Sequence, residues 1–248
     1  RITIPTGNDG MDIIYRACEI DSCLHRPAWF DKKKCFKSLI DSLDNYRSRV
    51  SRRWWPNLHC VLDGEEKELA DYIKSFPYVT YKNIQEYNNH GSLLHCLNLA
   101  QDLAGDSVYL LEDDYIHLPE AIRYLDDGVQ KFGLVTGYDH MDRYRLLGQP
   151  DQDITAGQEM IGLGQFCHWR TAESTTCTWA AQRDCLEKII DKAIRHLSSG
   201  QDREFFRDVF VDLGIRLFTP VPGVSTHVYT NLFSPYIEWE EVNNSISL

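Results

Sequence analysis

Three consecutive acids, Glu112, Asp113 and Asp114, follow the apolar run Val108-Tyr-Leu-Leu and precede Tyr115. Adjacent carboxylates repel one another, so such a triplet is costly unless it is solvated or neutralised by a cation. Hard divalent ions such as Mg²⁺ and Mn²⁺ prefer carboxylate oxygen and keep positions open for water or substrate phosphate. The triplet also reads as a solvated acidic turn, with Asp114 complementing the macrodipole of a helix expected at 119–130. Taken alone, it leaves both readings open. Other candidates are dispersed. Asp63 ends a second apolar run at 58–62, His227 closes Pro222-Gly-Val-Ser-Thr-His227, and Asp202 and Glu204 open a helical stretch at 202–213. An Asp at a helix start stays ionised and can accept a proton, yet Asp is favoured there as an N-cap in any case. A lone loop His fits a metal ligand or a simple hydrogen-bond partner.

These residues need a scaffold that gathers distant segments. The apolar run 11–17 reads as a buried strand. A helix follows, opened by Pro27 and Asp31, with Phe36, Leu39, Ile40 and Leu43 at helical spacing. Strands are expected at 58–62, 78–84 and 108–111, and helices at 65–76, 92–103 and 119–130. This alternation predicts an α/β fold with a mostly parallel sheet flanked by helices, where ligands bind beyond the carboxyl ends of strands. Asp63 and the acidic triplet stand at such ends. The second half is less regular: strands at 132–136, 175–181 and 216–219, helices at 183–197 and 202–213, and a Pro-rich segment to His227. The polar, Gly-rich stretch 139–164 has no clear period and is expected to be a mobile active-site loop.

The chain has 248 residues, 43% hydrophobic and 25% charged, with no repeat or low-complexity tract, which predicts one folded domain and excludes disordered and fibrous classes. Acidic residues number 37 against 26 basic, a net charge of −11, which argues against a generic polyanion binder. One segment runs against this balance: Arg47, Arg49, Arg52 and Arg53 lead into Trp54 and Trp55. It suits a phosphate-bearing acceptor, such as a lipid-linked saccharide or nucleic acid, or else a solvated helix end paired with nearby acids. The eight cysteines show no metal-binding spacing and are expected as reduced, mostly buried thiols of a cytosolic protein. No apolar run reaches the length of a membrane span, and residues 1–12 lack a signal peptide's apolar stretch.

Taken in order from about residue 11 to 239, these segments resemble GT-A-fold nucleotide-sugar glycosyltransferases, in particular small family-2-like bacterial and viral members. Glu112-Asp113-Asp114 resembles the DxD-type metal motif in its xDD form. Gly91-Ser92-Leu-Leu-His-Cys-Leu-Asn98 resembles the family's Gly-Lys-x-x-Ala-x-Asn segment, and Gln201-Asp202-Arg-Glu204 its Glu-Asp pair. The loop ending at His227 resembles the one whose His completes the metal site; Tyr138-Asp139-His140 and the stretch 169–179 also match. Three positions depart from the pattern: Tyr15-Arg16-Ala17-Cys18 replaces a Pro-Thr-x-Asn-like turn, Ser92 a common Lys, and Gln201 an acid.

The resemblance implies a single GT-A-type domain, with a nucleotide-binding half at about 1–130 and an acceptor half at about 131–248. It implies Asp114 and His227 as ligands of Mn²⁺ or Mg²⁺, with Asp113 against the ribose or a metal-bound water. Arg16, Asp63, Gly91, Ser92 and Glu112 would line the site of a nucleoside-diphosphate sugar. Asp202, or Glu204, would be the base of an inverting transfer, and Tyr138, Asp139, Trp169, Arg52 and Arg53 would face the acceptor. The acceptor would be a glycan, a lipid-linked saccharide or a modified nucleic acid. The setting would be cytoplasmic, at a membrane periphery or within an infected host cell. The rival classes are a non-catalytic nucleotide-sugar or glycan-binding module and a metal-dependent nucleotidyltransferase or phosphohydrolase.

Overall fold

In the computed structural model, which describes residues 9–18, 23–65, 67–141, 144, 160–176 and 178–248, the apolar runs form the centre of one sheet. Strands β1 (Met11–Cys18), β2 (Asn57–Asp63), β3 (Val79–Ile84) and β4 (Ser107–Glu112) pair in parallel in the order β3-β2-β1-β4. Helices α1 (Lys32–Arg47), α2 (Lys67–Lys74) and α3 (Asn89–Asp102) make the crossovers between them. The sheet continues beyond β4 through β9 (Trp179–Gln182), β6 (Leu134–Val135), β10 (Leu217–Val221), β8 (His168–Ala172) and β7 (Ile161–Leu163). Strands β8 and β9 run against the common direction of the others.

Alternation along β1 builds two cores. Ile13 and Tyr15 face Phe36, Leu39, Ile40 and Leu43 of α1, while Ile14 faces Leu93, Leu97 and Ala100 of α3. The α3 side also receives Ile189 and Ile190 of α5 (Arg183–His196) and Phe205 of α6 (Asp202–Leu213). A third cluster joins Cys35 of α1 to Ile116 of β5 (Tyr115–His117), Val228 and Trp239 of α7 (Trp239–Ser245). That cluster holds a separate two-stranded ribbon, β5 with β11 (Ser225–His227), against the start of α1.

The predicted strands and helices of the first half are present, with ends displaced by a few residues. Asn88 accepts a hydrogen bond from the Gly91 N–H at 2.7 Å and so caps α3 three residues before the expected start. The helix α4 (Ala121–Phe132), by contrast, begins two residues later than expected. The second half differs more. The strand expected at 175–181 begins only at Trp179, and β5, β7, β8, β11 and α7 were not anticipated. Several of these strands span three residues, less than the alternation a sequence pattern needs. The stretch 139–164 contributes the edge strand β7 and a buried Asp139; its residues 142–143 and 145–159 lie outside the described residues. Of the described cysteines, Cys35, Cys60, Cys96 and Cys185 are buried and all are free thiols; Cys177 is outside the described residues. Among the described residues no helix is long and apolar enough to cross a membrane.

Candidate donor-binding site

Register places the first two site residues side by side. Arg16 of β1 pairs with Glu112 of β4 in the parallel ladder, and their side chains form an ion pair. The Arg16 Nη1 also donates to Ser92 Oγ, 2.9 Å away at the start of α3. Two residues on, the Cys18 N–H donates to Asp113 Oδ2 at 3.0 Å. Lys32 reaches the same carboxylate at 2.9 Å and the Cys18 carbonyl at 2.5 Å. Arg26, in the connection between β1 and α1, donates from Nη2 to Asp114 Oδ2 at 2.6 Å and from Nη1 to the Val228 carbonyl at 2.7 Å. Each acid of the triplet therefore has its own cation: Glu112 with Arg16, Asp113 with Lys32, Asp114 with Arg26.

The β5–β11 ribbon delivers the histidine. Tyr115 stands opposite His227 in the antiparallel register, and their rings stack with centroids 5.2 Å apart and planes 14° from parallel. The Val228 N–H donates to the Asp114 carbonyl at 2.8 Å, and His227 Nε2 lies 2.9 Å from Asp114 Oδ2. Burial alone would raise both central carboxyls. It does raise Asp113, against the pull of Lys32, whereas His227 and Arg26 overcome it at Asp114 and hold that group at about 2. Burial, with the Asp113 charge beside it, lifts the Cys18 thiol to about 11, so it is no nucleophile at neutral pH.

Among the described residues, the acceptor Asp114 Oδ1 and the donor Arg16 Nε of this cluster are buried without a hydrogen-bond partner, as is the Tyr15 hydroxyl. Buried polar atoms in native proteins are nearly always paired, so an unmet acceptor and an unmet donor at one end of the sheet point to missing partners of opposite charge. A divalent cation fits the donor set of Asp114 and His227. The carboxylate is ionised, one oxygen is unmet, and an imidazole nitrogen stands against the other. Among the described residues no three His, Cys, Asp or Glu side chains form a metal cage. Such an ion would complete its shell with water or phosphate, as Mg²⁺ commonly does.

Other anticipated residues are placed as follows. Asp63 is buried at the end of β2, and its carboxylate accepts the backbone N–H groups of Glu86, Tyr87 and Asn88 at 2.8, 2.8 and 3.2 Å. It thus shapes the connection into α3 and supports Tyr87 at a left-handed φ of 52°. Gly91 and Ser92 form the first turn of α3 beside Arg16. His90, in the same turn, bonds the Ser198 carbonyl at 2.5 Å, which ties the segment before α6 to this end of the sheet. Asp202 and Glu204 are half-buried in the first turn of α6; the N-cap position is Gln201, so Asp202 is not the cap.

Of the expected acceptor residues, Tyr138 packs against this cluster, edge-on to His227 with ring centroids 6.4 Å apart, and the others have structural partners of their own. Trp169 is fully buried, packed on Gly128 and Phe132, and offers no stacking face. Tyr138 is buried edge-on to Tyr115, its hydroxyl bonded to the Leu232 carbonyl. Asp139 is buried, paired with Arg170 at 2.5 Å and bonded by the Tyr144 hydroxyl. Arg52 and Arg53 form a short turn before β2, beyond the far end of α1 from Lys32, roughly 24 Å along a 16-residue helix. There Arg53 pairs with Asp9 and lies over Trp54, and Arg52 lies over Trp55.

Arg26 and Lys32 were not anticipated. A signal existed: α1 opens with Lys32, Lys33 and Lys34 and has no acid in its first turn. Cations there oppose the helix macrodipole and need another reason to be present.

No known protein family and no curated protein matches the sequence. Solved structures do match the fold. The chain superposes with TM-score 0.51 on glucosyl-3-phosphoglycerate synthase from Mycobacterium tuberculosis in complex with phosphoglyceric acid, at 14% identity, covering 94% of this chain and 75% of that one. It matches S. aureus TarS (residues 1–349) with TM-score 0.51 at 11% identity, covering 85% of this chain and 57% of that one. A mycobacterial protein gives 0.51 at 14% identity, with 86% and 65% covered. The chain thus spans less than two thirds of the length of two of these. The shared architecture is the GT-A-type α/β fold: a Rossmann-like sheet, largely unidirectional, between helical layers.

Proposed function

We propose that this chain transfers a sugar from a nucleoside-diphosphate sugar to an acceptor hydroxyl, with inversion at the anomeric carbon. The observation that carries the reading is the pair of unmet buried atoms, Asp114 Oδ1 and Arg16 Nε, at the carboxyl end of β1 and β4. A divalent cation and a phosphate group are the complementary partners for them. Asp114 and His227 would hold Mn²⁺ or Mg²⁺, which when bound supplies Lewis-acid neutralisation of the diphosphate leaving group.

The chain's own residues supply the rest. Arg16, Arg26 and Lys32 place three positive charges around the acids, where a diphosphate would otherwise be repelled. Asp63 fixes the connection into α3, so that the first turn of that helix, with Ser92 bonded to Arg16, stands at the same sheet end. Asp202 takes the acceptor proton. It stands in the first turn of α6, whose macrodipole favours its ionised form, on a segment held near α3 by the His90–Ser198 bond.

The test is a panel of sugar nucleotides incubated with the full chain and Mn²⁺, followed by proton NMR of the released or transferred sugar. Turnover of one donor with inverted anomeric configuration is the expected result. Release of pyrophosphate from a nucleoside triphosphate and a sugar phosphate, with no turnover of any sugar nucleotide, would make the chain a nucleotidyltransferase, and binding without turnover would make it a recognition module.

A further inference from the structure

We propose that Arg26 is the internal counter-ion of the metal site, the group a divalent cation must displace from Asp114 before it can bind. The inference rests on the reading of Asp114 and His227 as metal ligands. Arg26 spans the three groups around that position: Asp114 Oδ2 at 2.6 Å, the Val228 carbonyl at 2.7 Å and His227 Nε2 at 3.4 Å. Its guanidinium also lies over the Phe30 ring, 4.7 Å from the centroid, which fixes its approach. The hydrogen bond to Asp114 is charge-assisted and short, which puts it among the stronger side-chain contacts. Asp114 Oδ1 is unmet, but an ion held by both Asp114 and His227 has to reach Nε2, which lies against both Oδ2 and Arg26 Nη1, so the guanidinium stands in its way and its charge opposes it.

Charge balance gives the arrangement a purpose. Three acids and three bases make the triplet self-neutral without a ligand. A divalent ion alone would add uncompensated positive charge, and a diphosphate alone would add negative charge. Together they enter with little net change, and Arg26, released from Asp114, turns its charge to the diphosphate. The site is therefore built to bind the ion poorly by itself and well with its nucleotide.

The experiment is calorimetric titration of the full chain with Mn²⁺ alone, on wild type, Arg26→Gln, Arg26→Lys and Asp114→Asn, with circular dichroism to establish folding. Arg26→Gln should bind Mn²⁺ about tenfold or more tightly than wild type, as expected for removal of a charge-assisted competitor. Arg26→Lys keeps the charge but not the fork, and should shift affinity in the same direction by less. Asp114→Asn should abolish binding. Without metal, Arg26→Gln should melt below wild type, and saturating Mn²⁺ should close the gap. A folded Arg26→Gln whose Mn²⁺ affinity is equal to or weaker than wild type overturns the proposal while Asp114→Asn still defines the metal site. If Arg26→Gln does not fold, an Arg26→Lys affinity unchanged from wild type overturns it equally. Absence of Mn²⁺ binding in both wild type and Arg26→Gln overturns the proposal and the metal reading together.

Discussion

Asp12 and Asp114 are buried acids at opposite ends of the central strands, and the structure treats them differently. At the amino end, Asp12 Oδ1 accepts from Asn57 at 2.8 Å and lies 3.3 Å from His59, while Oδ2 accepts from the Gly105 N–H at 2.8 Å. Both its oxygens are engaged by groups of the chain. At the carboxyl end, Asp114 has a cation and an imidazole on one oxygen and, among the described residues, no hydrogen-bond partner on the other. Both carboxyls are held below their ordinary range against the effect of burial. A depressed acid therefore marks neither end as functional; the two carboxylates differ in that both oxygens of Asp12 accept hydrogen bonds and only one of Asp114 does.

The largest expected effect separates chemistry from scaffold at the carboxyl end. Asp202→Asn keeps the size of the side chain and removes its basicity, and should lower kcat by ~10²–10⁴-fold, the usual consequence of losing a general base. Melting temperature and donor Kd should stay near wild type, because Gln201 and not Asp202 occupies the cap position. Glu204→Gln, one half-turn on, should leave kcat within a few-fold. Equal losses in both variants would assign the effect to the helix and not to the base.

The Asp12 end should respond in stability alone. Asp12→Ala strands the amide of Asn57, the ring of His59 and the N–H of Gly105, and should cost about 3 kcal/mol in urea unfolding. Its Mn²⁺ and nucleotide affinities should match wild type at temperatures where it is folded. A loss of ligand binding would mean that the two ends are coupled through β1.

Much of the scaffold was legible because long elements carry periodicity: β1, α1 and α6 were evident from their apolar spacing, and the carboxyl-end rule then picked out Asp63 and the triplet. The short ribbon that orients His227 was not legible. Three residues of β5 and three of β11 carry no period, and their pairing joins positions over a hundred residues apart. The burial of Trp169 and Asp139 was not legible for a related reason. Residue type suggests a sugar-stacking ring and an exposed acid, but only the fold reveals that Trp169 fills the space above Gly128 and that Asp139 is closed by Arg170. The pairing of three acids with Arg16, Arg26 and Lys32 was within reach of charge accounting, since a buried triplet demands its counter-ions.

A smaller effect distinguishes the ribbon from the acids in pH. His117 in β5 is fully buried, and burial lowers it to about 3 from its ordinary value near 6.5. The unfolded chain binds the proton that the folded chain refuses, so stability should fall as pH drops from about 6.5 to about 3. The contribution is at most about 1.4 kcal/mol per pH unit for one proton. His117→Gln should flatten that part of the stability profile. Asp114 loses its contribution lower, as pH falls from its unfolded value of 3.8 towards about 2. An unchanged slope between pH 6.5 and 4 in His117→Gln would contradict the buried neutral imidazole.

The central claim is that Asp114 is where cation and nucleotide meet. Its most direct test is calorimetry of UDP, GDP, CDP and ADP against the full chain, with and without Mn²⁺, for wild type and Asp114→Ala. At least one nucleotide should bind wild type in a Mn²⁺-dependent manner, and Asp114→Ala should lose that dependence with at least about a hundredfold weaker affinity, as for removal of one partner from a buried charged cluster. Equal Mn²⁺-dependent affinity in a folded Asp114→Ala, or no Mn²⁺-dependent binding of any of the four by wild type, would contradict the account.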